Sequence, residues 1–212
     1  AGSGIRTLRY LTECPGDFTA TMFDANPEAV RVARENLKIN KMEDRGRVLR
    51  GDAKVLLLTE SRDSRFDYVD VDPFGSPAPF MNAAIQAILP KTGLLALTAT
   101  DMPALCGIYP QVAQRKYGGL SVRAPFAHEV AVRLLIGLAQ TMAGVNGASI
   151  QPLAALSTDH YVRVWLRLKS SRSAANILTE STGMVRYCHN CMNFDLVPLR
   201  KVGDPPVFQH ID

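Results

Sequence analysis

Long apolar runs are absent from this 212-residue chain. That excludes a bilayer-spanning helix, which needs about 20 consecutive apolar residues. Cysteine is scarce: Cys14, Cys106, Cys188 and Cys191 are too few to staple a chain of this length, and only the last pair is closely spaced. The expectation is a reducing, intracellular setting. No cationic stretch followed by an apolar one opens the sequence, so nothing suggests secretion. Because the first residue is Ala1 rather than Met, upstream sequence is expected to be missing. Excess charge is small, with 24 Lys and Arg against 20 Asp and Glu and a pI near 9.0. The cations are scattered, so a polyanionic partner is permitted without being indicated.

What is present is a regular alternation of strand and helix patterns, in a chain that is 47% apolar. The patterns predict helices over 5–13, 26–40, 79–89 and 127–142, and strands over 19–24, 47–50, 66–71, 93–98, 150–156 and 161–168. Residues 101–117 read as a long loop. Such alternation implies an α/β fold with a largely parallel sheet covered on both faces, closed at one edge by an antiparallel hairpin. In the last strand, Tyr161, Arg163, Trp165, Arg167 and Lys169 share one face. Basic residues interleaved with aromatics suit RNA; an amphipathic strand beneath a helix is the favoured reading. The polar segment 171–180 reads as a linker between residues 1–170 and a small module over 181–212 that carries Cys188-His-Asn-Cys191.

Three features carry chemistry. Ala1-Gly2-Ser3-Gly4 precedes a helix, where closely spaced glycines let a ligand approach the backbone. Asp24 ends the next strand, about 20 residues on, where an acid can hold the hydroxyls of a ribose. Together they point to an adenosine-containing cofactor, either a nicotinamide dinucleotide or S-adenosylmethionine. Asp52, before Ala53, is placed either to bond an adenine amino group or to cap the next helix.

The third feature decides between the cofactors. Asp72-Pro73-Phe74-Gly75 follows the fourth strand, at the sheet edge where open α/β folds bind ligands. An aromatic exocyclic amine is a poor nucleophile because its lone pair is delocalised into the ring. A carboxylate and a backbone carbonyl, here Asp72 and Pro73, can accept its two hydrogens and aim the lone pair at a sulfonium methyl. Phe74 would stack on the base. Asp70 shares the face of Asp72, to meet the cofactor or support the site. A plain Asp-Pro turn is the structural alternative.

Those residues, with Gly2-Ser-Gly-Ile-Arg-Thr-Leu-Arg9, Thr98-Ala-Thr-Asp-Met102, Lys116-Tyr-Gly118, His128-Glu129 and Tyr161-Val-Arg163, closely resemble the tRNA guanine-26 N2-dimethyltransferases. The resemblance implies a class I, Rossmann-like methyltransferase fold, S-adenosylmethionine as donor, tRNA as partner, and transfer of one or two methyls to the 2-amino group of guanine 26. Carried over by position, Gly2, Ser3, Gly4, Asp24, Ala25, Asp52, Ala53 and Asp70 match the cofactor site, and Asp72, Pro73 and Phe74 the catalytic motif. Asp101, Arg115, Lys116 and Tyr117 match positions suited to substrate, while His128 reads as a hydrogen-bonded structural histidine. The eukaryotic members suggest nucleus or mitochondrion.

The chain departs from that family at both ends. Its first central strand is expected to be missing before Ala1, exposing neighbouring strand edges and impairing folding or activity. Cys188 and Cys191 have the spacing of half a zinc site, with His189 and His210 as candidates for the remainder.

Overall fold

The computed structural model describes residues 1–170, 172–176 and 182–198. Helix α1 (Ile5–Glu13) leads to strand β1 (Ala20–Asp24), helix α2 (Pro27–Ile39) and strand β2 (Gly46–Arg50). Helix α3 (Ala53–Glu60), strand β3 (Tyr68–Val71), helix α4 (Met81–Ala87) and strand β4 (Leu94–Ala99) follow. The start of α2 shows why the chain turns helical there. Asn26 accepts the Glu28 N–H at 2.9 Å as N-cap, and Pro27 occupies the first helical position, where its missing N–H costs nothing.

After β4 the expected long loop is instead two helices, α5 (Met102–Leu105) and α6 (Pro110–Tyr117). Their signals are local: Pro103 and Pro110 lie in the first turns, and Gly118 closes α6 at φ 76°. Helix α7 (Ala127–Val145) then leads into the antiparallel pair β5 (Ser149–Ser157) and β6 (Val162–Lys169). Within the expected linker, Arg172–Asn176 forms a short helix, α8. The final described element is a hairpin of β7 (Gly183–Tyr187) and β8 (Phe194–Pro198). Tyr187 and Phe194 rest their rings on Phe126, at 5.3 and 5.2 Å between centroids. His210 lies outside the described residues.

Strands β1 and β2 pair in parallel, and β3, β4, β6 and β5 form a second sheet in that order, parallel only between β3 and β4. The expected single sheet is thus divided between β1 and β3. One face of the larger sheet, with Val69, Val71, Leu95, Leu97, Val162, Val164 and Leu166, packs against α4 and α7 and forms the main core. A second core joins Leu8 and Leu11 of α1 to Met22, Val30, Ala33, Leu37 and Val48.

Helix α1 links the two bodies. Its apolar stripe faces β1 and α2, while Arg6 and Tyr10, one turn apart, reach Asp70 on β3. No described helix is long and apolar enough to cross a membrane.

Candidate active site

The glycine turn is built as its sequence requires. Gly2 and Gly4 take φ values of 56° and 75°, left-handed backbone that disfavours side chains, and Gly4 sits at the head of α1. A Cβ on Gly4 would come within 2.9 Å of Met22 Sδ, so this glycine also lets α1 close onto β1. Nothing lies within 4 Å of where a Gly2 Cβ would stand, which leaves that stretch of backbone open to a ligand.

Asp24, at the carboxyl end of β1, faces this turn. Its Oδ2 accepts the Gly2 N–H at 2.9 Å and an Ala1 N–H at 2.5 Å, and its Oδ1 accepts the Asn26 N–H at 2.9 Å. Burial pushes the Asp24 carboxyl up, but the bonds from Ala1, Asn26 and Gly2 outweigh it and hold the group below the usual carboxylate range. Ser3 and Ala25 are beside the pair, with the Ser3 carbonyl accepting from Asn36 Nδ2 at 2.8 Å. Asp52 caps α3, accepting the Lys54 N–H at 2.9 Å, and Ala53 opens that helix. The Gly51 N–H bonds the Asp24 carbonyl at 3.0 Å, so the Asp24 and Asp52 segments are adjacent.

On β3 the alternation brings Tyr68, Asp70 and Asp72 to one face, where Arg6 bridges the two acids. Its Nη2 lies 2.6 Å from Asp72 Oδ2 and its Nη1 3.4 Å from Asp70 Oδ2. Asp70 Oδ2 also accepts from Arg163 at 2.7 Å and Tyr10 at 3.2 Å. Asp70 Oδ1 is buried and has no partner among the described residues. The amphipathic reading of β6 holds, with Val162, Val164 and Leu166 buried beneath α7, but on its other face Arg163 is buried within this cluster, whereas Arg167 and Lys169 are exposed. Burial drives the Tyr68 phenol far up, and the negative Asp70 beside it adds to that.

The Asp72-Pro73-Phe74 loop is fastened from behind. Gly75 donates to Thr100 Oγ1 and accepts from the Thr100 N–H, both at 2.8 Å. Asp101, which follows Thr100, takes Lys116 Nζ at 2.8 Å and the Tyr117 hydroxyl at 2.6 Å. Asp101, Lys116 and Tyr117 therefore converge beside the loop that Thr100 fastens. Burial first, then the bond to Asp101, pushes the Tyr117 phenol well up, so it stays a donor. Phe74, in contrast, is held wholly in solvent at 105% exposure.

The other expected residues stand apart. Arg115 faces solvent on α6. His128 is on the surface, its Nδ1 bonded to Ser157 Oγ at 2.8 Å. Cys188 and Cys191 lie in the turn between β7 and β8, and N–H groups of Cys191 and Asn190, with the Cys191 side chain, hold the Cys188 thiol below its ordinary value. Among the described residues no three His, Cys, Asp or Glu side chains gather as a metal site would require. Sequence reasoning missed Arg6, Tyr10, Tyr68, Thr100 and Arg163 as parts of the site. For three of them the signal was periodicity, since Arg6 and Tyr10 share a helix face and Tyr68 precedes Asp70 by two.

The arrangement fits S-adenosylmethionine on this chain's own evidence. The buried, unpartnered Asp70 Oδ1 lies beside the head of α1 and suits an N–H donor such as an α-ammonium. The Asp24 oxygens retain lone pairs beyond the N–H bonds they accept and can take hydroxyls as well.

The family model for N2,N2-dimethylguanosine tRNA methyltransferase matches residues 1–204. A tRNA (guanine(26)-N(2))-dimethyltransferase of Methanococcus maripaludis strain C5 is 40% identical over 187 residues, covering 87% of this chain and 49% of that protein. The human protein of the same name is 33% identical over 207 residues, covering 97% of this chain and 31% of its own. This chain therefore spans about half, or less, of the length of the curated relatives it matches. Among solved structures, Trm1 from Pyrococcus horikoshii in complex with S-adenosyl-L-methionine superposes with a TM-score of 0.85 at 27% identity, covering 92% of this chain and 56% of that one. The fold is the Rossmann-like methyltransferase fold, and the chain belongs to the family of N2,N2-dimethylguanosine tRNA methyltransferases.

Proposed function

We propose that this chain carries the catalytic centre of an S-adenosylmethionine-dependent tRNA methyltransferase that places one or two methyls on the 2-amino group of guanine 26. The observation that carries the reading is the Asp72-Pro73-Phe74 loop: a wholly exposed ring beside a carboxylate whose Oδ2 is held by Arg6 while Oδ1 remains available. When bound, S-adenosylmethionine supplies an electrophilic methyl. Asp72 Oδ1 and the Pro73 carbonyl accept the two hydrogens of the base amine and turn its lone pair toward that methyl. Phe74 stacks on the extruded base. Asp72 then holds the proton that the amine loses.

Gly2, Ser3, Gly4, Asp24, Ala25, Asp52, Ala53 and Asp70 form the cofactor side of this site. Asp101, Lys116 and Tyr117 stand on the substrate side, and exposed Arg115 is placed for a phosphate. Residues 1–170 hold all of these groups, and within the module from 181 onward the described hairpin packs on Phe126 through Tyr187 and Phe194. Zinc at Cys188 and Cys191 would draw its other ligands from beyond the described residues. The four free thiols suit a reducing compartment, nucleus or mitochondrion in a eukaryotic cell.

Asp72→Asn tests the reading. The amide keeps the shape but offers one acceptor oxygen and no place for the proton, so methylation should fall by about 100-fold or more while tRNA binding stays within about twofold. Full methylation by Asp72→Asn would remove Asp72 from the mechanism. Binding of tRNA by a wild-type chain that methylates nothing would leave a binding module.

A further inference from the structure

We propose that Arg163 is a positioning residue for the methyl transfer, holding Asp70 so that Arg6 stays on Asp72. The inference rests on the catalytic reading above but comes from a different observation. Arg163 is only 6% exposed, and an arginine is rarely buried so fully without dedicated partners.

The partners form one line across three strands. Register pairs Arg163 on β6 with Thr98 on β4, and Asp70 on β3 with Ala96 on β4, so the guanidinium can reach over the sheet face beside a small side chain. Its Nη1 donates to Thr98 Oγ1 at 2.5 Å and its Nη2 to Asp70 Oδ2 at 2.7 Å, while Trp165 lies against its carbon at 5.0 Å. Beyond Asp70 come Arg6 and then Asp72, at 3.4 and 2.6 Å. Charges therefore alternate, Arg163, Asp70, Arg6, Asp72, and the four sum to zero.

Arg6 is shared between two carboxylates, and its closer contact is to the catalytic one. That division depends on Asp70 being neutralised from its other side. Asp70 Oδ1 is buried and unpartnered, so an Asp70 without Arg163 would be a charge in a poorly hydrated place. Arg6 is the only other cation bonded to it among the described residues, on the same Oδ2 that Arg163 holds, so even with an α-ammonium on Oδ1 the vacated Oδ2 would draw Arg6 from Asp72 toward Asp70. The Asp72 carboxylate would then rotate freely and lose its aim. A lysine at 163 would restore the charge but could not fork to Thr98 and Asp70 together.

The test compares Arg163→Met and Arg163→Lys in the full chain by crystal structure and by steady-state methylation. In Arg163→Met we expect Arg6 to leave Asp72 for Asp70, kcat to fall about tenfold or more, and KM for tRNA to stay within about twofold. Arg163→Lys should recover at least about threefold of that loss. An Arg6 contact to Asp72 that persists in Arg163→Met overturns the proposal, as does a kcat within about twofold of wild type. If Arg163→Met does not fold, Thr98→Val removes the hydroxyl that fixes the guanidinium and is judged by the same two readings, with a kcat loss of about threefold expected. A wild-type chain that methylates no tRNA would sink the catalytic reading separately. The position of Arg6 in the variants would then decide this one.

Discussion

Asp24 is held by the Gly2 and Asn26 N–H groups and by the amino group of Ala1, and this fixes how it contributes to stability. Its folded pKa lies below the unfolded value of about 3.9, so the stabilisation is complete above that value and is lost as pH falls through the folded one. Asp24→Asn should therefore lower the urea midpoint near neutral pH, and the gap to wild type should close as pH drops below about 4. A gap that stayed constant down to pH 2 would mean that the charge contributes nothing. At this scale the sequence made much of the site legible. Asp24 and Asp72 stand at strand ends, with Asp70 near the end of β3, and an acid at the carboxyl edge of an α/β sheet has few structural duties. Thr98 and Arg163 were not legible, because they meet across 65 residues and Arg163 meets Asp70 across 93, and only the register of β3, β4 and β6 brings them together.

Among the elements, α1 ties the candidate site together, since it starts from the glycine turn, fills the smaller core and supplies Arg6. Gly4 bears that arrangement through its φ of 75° and its closeness to Met22. Gly4→Ala should destabilise the chain by about 1–3 kcal/mol and weaken cofactor binding, seen in parallel as a lower thermal midpoint and a raised Kd. An unchanged midpoint would show that the turn tolerates a side chain. Helix α1 and the strands were readable from periodicity over several residues. Helices α5 and α6 were not, because Met102–Leu105 is too short to show a period and the Asp101 contacts that organise the pair come from α6 itself.

The described residues form two hydrophobic cores, and the candidate site draws on both. Gly2, Gly4 and Asp24 belong to the smaller body around β1 and β2, Asp70, Asp72 and Asp101 to the larger one around β3 to β6, and Asp52 caps α3, whose Leu57 lies in the larger core. A smaller core opens at lower free energy, so amide exchange in β1 and β2 should be faster than in β4 and β6. Bound S-adenosylmethionine, touching both bodies, should slow the exchange of β1 and β2 most, whereas uniform exchange across both sheets would argue against two units. The division between β1 and β3 could not be read from strand patterns, which predict strands but not which edges pair.

The most direct measurement incubates the full chain with labelled S-adenosylmethionine and unmodified tRNA transcripts carrying G26 or A26, and analyses the nucleosides. The account predicts N2-methylated guanosine from the G26 transcript and no label from the A26 transcript. Equal label in both, or label on another base, would contradict it.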